Sequence, residues 1–362
     1  MLAWLPAVAV AQTEVVPSRD EVMAVVTRQA AAEMARQKAL AARARRSHRT
    51  VSGAFLVAAL RLDTPDVRNY AGEAAATGTI ALGDVDESLY ARNGEAEALT
   101  PLRRKLDSTL ANLARASQRP AWGCDAVVLT PAVYARMSLL TNDPKYLQAM
   151  DMAWGRAGDG YACSARGKAT GLGDEAAVIA GLARILEVMP ADFPSRQRYV
   201  DQYRALAARL AAVQDADGLW RHDTAGTALA AYALAFGLNH DLLDRETYLP
   251  FVLGAWAALN RDIRPDGRVD GGAETSGAFI LAGLEIADLD DPATPLPSPV
   301  IVHAPDAMPP QMERPAGVFA PPNPRREAQA HPATPAVPTS PVTDDPSERS
   351  PVPAPIPPAS SK

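Results

Sequence analysis

The chain has 362 residues, 48% of them hydrophobic and only 6% aromatic, with a formal charge of −6. Its acidic balance, with an isoelectric point near 5.5, excludes the basic footprint of a nucleic-acid binder. No segment reaches the ~18 apolar residues of an integral membrane span, and two cysteines, Cys124 and Cys163, make neither a disulfide framework nor a metal site.

The chain begins with an apolar run that ends in Ala9-Val10-Ala11 ahead of Gln12. This pattern matches the end of a signal peptide, although the run is short and lacks a basic start. Residues 1–18 are therefore read as a leader, and the protein as exported to the periplasm or secreted. The alternative is an unstructured apolar N-terminus in a cytoplasmic protein.

From Arg19 to Ala287 apolar residues recur at spacings of three and four, and strand-like alternation is scarce. About twelve helices are predicted, starting near Arg19, Val51, Pro65, Val85, Glu97, Cys124, Pro144, Asp174, Ser195, Ala225, Glu246 and Ala273. Asp63-Thr64-Pro65, Asn142-Asp143-Pro144 and Asp192-Phe193-Pro194 punctuate the pattern as turns or caps ahead of helices. Met189-Pro190 and Arg264-Pro265-Asp266-Gly267 act as stops. The one basic cluster, Arg43 to Arg49, reads as a solvated helix end.

Helices joined by short turns bury their apolar stripes on one another, which leaves a bundle, a solenoid or an (α/α)6 toroid. No fixed period of recurring residues marks a solenoid. After Asp291 the composition changes, and about two thirds of the 32 prolines lie there. Such a segment buries too little apolar surface to offset its ordering entropy. The domain plan is thus a leader over 1–18, a helical domain over 19–288 and a Pro/Ala/Ser-rich disordered tail over 289–362.

Three stretches carry a resemblance. The first is Trp122-Gly123-Cys124-Asp125-Ala126 with its apolar continuation to Pro131, followed by Thr141-Asn142-Asp143-Pro144-Lys145-Tyr146. The second is Val178 to Pro190, leading to Asp215-Ala216-Asp217-Gly218-Leu219-Trp220. The third is Asp223-Thr224-Ala225-Gly226-Thr227-Ala228 with Tyr232 to Asn239 and Asp266-Gly267-Arg268. In this order they resemble glycosyl hydrolase family 88/105, the unsaturated uronyl hydrolases. The resemblance implies an all-α (α/α)6 toroid of the six-hairpin glycosidase type, an oligosaccharide substrate, and no cofactor.

It also implies hydration chemistry. Family members take a sugar with a C4–C5 double bond. A carboxyl group protonates the vinyl ether, water adds at C5, and the hemiketal opens to release the neighbouring sugar. A lone aspartate serves if its pKa lies high enough to keep a proton. The resemblance gives that role to Asp125, with Trp122 beside it as a substrate-binding residue. Partial burial would raise the Asp125 pKa, whereas a plain N-cap role would lower it; both readings stand. A second carboxylate is sought in Gly83-Asp84-Val85-Asp86-Glu87, where Asp84 or Asp86 is the candidate and a solvated helix start is the alternative.

The chain departs from the family at the site's rim. The family's "Trp-x-Arg-Gly-Asn-Gly-Trp" is replaced by Gly171 to Ala177, and Asp174 and Glu175 there oppose an anionic sugar. Arg166, in a shortened loop, is the candidate replacement for the missing carboxylate clamp. The loops after Arg221 and Arg268 read as short. Asp223 and Thr224 stand in the place of the family's "Glu-Thr" as substrate-binding candidates or simply as caps. Trp220 reads as core. His222 and His240 lack a partner at metal-ligand spacing, so no metal is expected. Missing grip residues leave room for a non-catalytic glycan-binding or scaffold protein of the envelope.

Overall fold

The computed structural model describes residues 16–44, 53–62, 64, 83, 87, 90, 96–115, 124–156, 172–221 and 223–290. They belong to one unit, Met1–Pro309. The expected leader cleavage site, the helix expected near Pro65, and the Pro-rich tail beyond the last described turn lie outside these residues.

In chain order the helices are α1 (Arg19–Ala44), α2 (Gly53–Leu60), α3 (Ala96–Arg115), α4 (Cys124–Thr141) and α5 (Lys145–Arg156). They continue with α6 (Leu172–Val188), α7 (Arg196–Ala211), α8 (Thr224–Asn239), α9 (Arg245–Arg261) and α10 (Ala273–Ala287), closed by a 3-10 turn over Asp288–Asp290. Among the described residues there is no strand, and no helix is long and apolar enough to cross a membrane.

Two kinds of helix alternate along the chain. In α8 every residue from Gly226 to Leu238 is buried except Leu229, and α10 is covered almost all round. In α7 only a stripe is buried: Tyr199, Val200, Tyr203, Leu206, Ala207 and Leu210, at the spacing of one helical face. A helix apolar on all sides belongs in the interior, and one with a stripe belongs outside. The contacts follow this division. The inner helices neighbour one another in the order α2, α10, α8, α6, α4, while α1, α5, α7 and α9 lie against inner partners. Gly83, Glu87 and Tyr90 are also helical, with Gly83 set against Val133 of α4 and Leu102 of α3. This is the (α/α)6 toroid.

The ring is tight because small residues line its seams. At Gly181 of α6 an added Cβ would stand 2.4 Å from the Val127 carbonyl oxygen of α4, so the two backbones touch there. Large side chains wedge the outer layer onto the inner one. Trp220 is 2% exposed and donates its indole N–H to the Leu210 carbonyl at 2.8 Å. Each such buried side chain contributes about 1.5–3 kcal/mol by removal of apolar area from water.

Candidate active site

Neighbouring inner helices run parallel. Val127 of α4 meets Gly181 of α6, and further along the same pair Arg136 reaches Glu187. First turns therefore collect at one end of the ring and last turns at the other. Asp125 occupies the first turn of α4, and Asp174 and Glu175 the first turn of α6. Asp223 caps α8, and Gly272 caps α10 with φ 87°. Helix N-termini present unsatisfied N–H groups and a partial positive charge, a setting that favours an anionic ligand.

The first turn of α4 is recessed. From the Gly181–Val127 contact, α6 runs nine residues back to its start and α4 only three, a difference of about 9 Å at 1.5 Å per residue. The stretch Leu172–Ala177 thus overhangs the turn of Asp125. Its charge is partly answered from outside, since Glu175 accepts from Arg209 Nε of α7 at 3.2 Å.

Two outer-to-inner loops share this rim and one construction. In the first, Asp215 N–H donates to the Leu219 carbonyl at 2.9 Å around Gly218, which has φ 88°. In the second, Arg264 N–H donates to the Arg268 carbonyl at 2.8 Å around Gly267, with φ 82°. An Asp-Gly pair makes each turn, because glycine adopts the left-handed conformation without steric cost. Asp217-Gly218 and Asp266-Gly267 were visible as single motifs; their equivalence as loops of successive hairpins is legible only once both are folded. Thr224 Oγ1 donates to Asp262 Oδ2 at 3.0 Å, and Arg261 Nη2 to the Asp217 carbonyl at 2.5 Å, so the loops brace each other.

The sequence-derived residues divide as follows. Asp125 is placed by its backbone in the first turn of α4. Asp223 has its carboxylate turned back on the helix, accepting from Ala225 N–H at 3.1 Å, and Thr224 is engaged with Asp262. Trp122, Asp84, Asp86, Arg166 and Cys163 lie outside the described residues. Gly83 abuts Val133, two turns beyond Asp125 in α4. Glu87 in the stretch that follows Gly83 is fully buried, a carboxylate that helical periodicity did not single out.

A family model described as Glycosyl Hydrolase Family 88 matches residues 175–279, from the first turn of α6 into α10. The helical domain is a relative of glycosyl hydrolase family 88/105. Two curated relatives are each named unsaturated 3S-rhamnoglycuronyl hydrolase. The one from Formosa agariphila is 30% identical over 227 residues, covering 47% of this chain and 58% of its own. The other, from Alteromonas sp., is 28% identical over 174 residues, covering 40% of this chain and 42% of its own. The chain thus spans about half the length of these relatives. Among solved structures, a glycosyl hydrolase family 88 protein from Bacteroides vulgatus superposes with a TM-score of 0.61 at 18% identity, covering 74% of this chain and 99% of its own. A possible member of the GH105 family from Salmonella enterica superposes at 0.59 with 13% identity, covering 80% and 100%. These structures share the family 88/105 toroid.

Electrostatics adds a finding that motif reading missed. The most perturbed carboxyl groups described, Glu187 and Glu285, lie in last turns, at the end of the ring opposite Asp125.

Proposed function

We propose that the protein is an exported hydrolase of unsaturated uronyl oligosaccharides, acting by hydration of the C4–C5 double bond in polysaccharide degradation. The observation that carries this reading is the setting of Asp125. It stands in an intact Trp122 to Ala126 motif, in a first turn recessed beneath the overhanging start of α6. That turn is at the ring's N-terminal mouth, where the helix termini favour a uronate. Asp125 is assigned the proton donor. Asp84 or Asp86, which follow Gly83 in the chain, is assigned the second carboxylate. Arg166 is assigned the substrate carboxylate, since a guanidinium fork holds such a group through two hydrogen bonds. The names of the two curated relatives point to a rhamnose-linked unsaturated glucuronide as the substrate class. The apolar N-terminal run ahead of Gln12 supports export.

The assay follows loss of the double-bond absorbance when the full chain meets lyase-generated oligosaccharides. Turnover is expected with the wild type, and Asp125→Asn is expected to lower kcat by at least ~10²-fold with an unchanged circular dichroism spectrum. Turnover unaffected by Asp125→Asn would overturn the assignment of the donor. Absence of turnover across pectin-derived, glycosaminoglycan-derived and rhamnose-linked unsaturated glucuronide substrates would overturn the hydrolase.

A further inference from the structure

At the C-terminal ends of the inner helices, ionisable groups from several elements converge. Arg61, just past α2, donates from Nη2 to both carboxylate oxygens of Glu187 in α6, at 2.6 and 2.7 Å. Its Nη1 lies 3.5 Å from Glu285 Oε1 in α10. Arg136 of α4 comes to 3.6 Å from Glu187. Asn239, the last residue of α8, donates through Nδ2 to the Glu285 carbonyl at 2.8 Å and to its carboxylate at 3.1 Å. Arg184, one turn before Glu187, is buried beside them, and so is Tyr232.

The placement of the two glutamates is unfavourable by elementary electrostatics. A helix C-terminus carries partial negative charge, and several parallel ones meet here. Glu187 and Glu285 both stand in the last turns of their helices. Three guanidiniums nearby do not make an anion site, because the helix ends and Glu187 already supply the negative charge. What the geometry does make is an unequal partition of Arg61. It is bidentate on Glu187 and only distantly paired with Glu285.

We propose that this end of the toroid is a proton-responsive clasp. With Glu285 protonated, Arg61 belongs to Glu187 and ties α2 to α6, with α10 held through Asn239. With Glu285 ionised, two carboxylates compete for one guanidinium in a mostly buried site, and the hold on α2 and α10 weakens.

The pKa directions agree with this geometry. Burial pushes Glu285 up to about 7, against the opposing pull of Arg61. Burial also acts upward on Glu187, but Arg61, Arg136 and Arg184 outweigh it and hold that carboxyl at about 2. Glu285 therefore adds stability at acid pH that is lost as pH rises through about 7. Glu187 adds stability that is lost only as pH falls toward about 2.

The other groups facing Glu285 are Asp288 of the 3-10 turn, Tyr203 of α7 and Tyr232 of α8. Burial raises both phenols, so they stay protonated through neutral pH. From α1, Arg19 is paired with Asp288, and from α9, Arg245 donates to the Leu289 carbonyl at 2.8 Å. His240, beside Asn239, is lowered by burial and loses stability as pH falls, the opposite sense to Glu285.

Because His240 contributes to the profile, the test is a difference. Thermal unfolding of the full chain and of Glu285→Gln is followed between about pH 5 and about pH 8. The wild-type midpoint should fall relative to the variant by on the order of 5 °C across this range. A midpoint difference that does not change with pH would overturn the clasp. Carboxyl infrared or 13C NMR spectra of the wild type keep the test decisive if the variant does not fold. One buried carboxyl should lose its proton near neutral pH, and its absence would refute the proposal equally.

Discussion

Gly181 sets the distance between the two inner helices that frame the candidate site, so Gly181→Ala is a direct probe of the architecture. In an exposed helix interior this change would stabilise by roughly 0.5–1 kcal/mol, because alanine loses less conformational freedom than glycine. Here the new Cβ would stand 2.4 Å from the Val127 carbonyl oxygen and 3.2 Å from its carbon. The obstacle is backbone, so no rotamer change relieves it, and α4 and α6 must part by about an ångström. Overpacking of this kind costs about 1–3 kcal/mol and outweighs the propensity gain. The expected net loss is about 1–2 kcal/mol, or a fall of roughly 2–8 °C in Tm for a domain of this size. Gly155→Ala is the matched control, since its Cβ meets only the far end of a side chain, Arg198 Nη1, at 3.2 Å. Urea unfolding by far-ultraviolet circular dichroism measures both. The displacement also moves the turn of Asp125, two residues before Val127. The kcat on unsaturated oligosaccharides should fall more than ~10-fold, as an ångström of misplacement near the chemistry is costly. If Gly181→Ala is as stable as the wild type, the close seam between α4 and α6 is wrong.

Trp220→Phe removes one of two donors to the Leu210 carbonyl, which keeps the Val213 N–H, and is expected to cost about 0.5–1.5 kcal/mol for the lost hydrogen bond, read from the urea midpoint. Asp223→Ala should cost about 1 kcal/mol by loss of the α8 cap, while Asp223→Asn restores stability. If Asp223 also binds substrate, Asp223→Asn will raise KM despite that restored stability; an unchanged KM leaves the residue a cap. Arg61→Gln leaves Glu187 buried without its bidentate partner. The cost should be about 3 kcal/mol, the low end for a buried pair broken on one side, since 27% of the Arg61 side chain stays exposed. The same variant should lose less stability than the wild type as pH falls from about 4.5 toward about 2, the window in which the wild-type Glu187 contribution is lost.

Much of this protein is written locally. The helix starts at Arg19, Cys124 and Ala273 follow from apolar periodicity and caps, because a helix's hydrogen bonds close within a few residues. The division into inner and outer helices is also legible. Gly226 to Leu238 is apolar on all faces, whereas Arg196 to Ala211 carries one stripe between charges. Asp125 is a candidate from its motif, since the residue types around it are contiguous in the chain.

What sequence did not provide depends on long-range contact. Asp223 and Thr224 read as substrate ligands or as caps, and only the fold shows the first accepting from Ala225 N–H and the second donating to Asp262. The recess of the α4 turn arises from a backbone contact at Gly181, which is an ordinary helical glycine by its own neighbours. The cluster at the far end joins Arg61, Arg136, Glu187 and Glu285 from four different helical segments. Each of these residues looks like a routine surface charge in its own helix. Local pattern fixes which residues are helical, because that bonding is short in range. Which charges share one dielectric environment is decided only when the ring closes and removes them together from water.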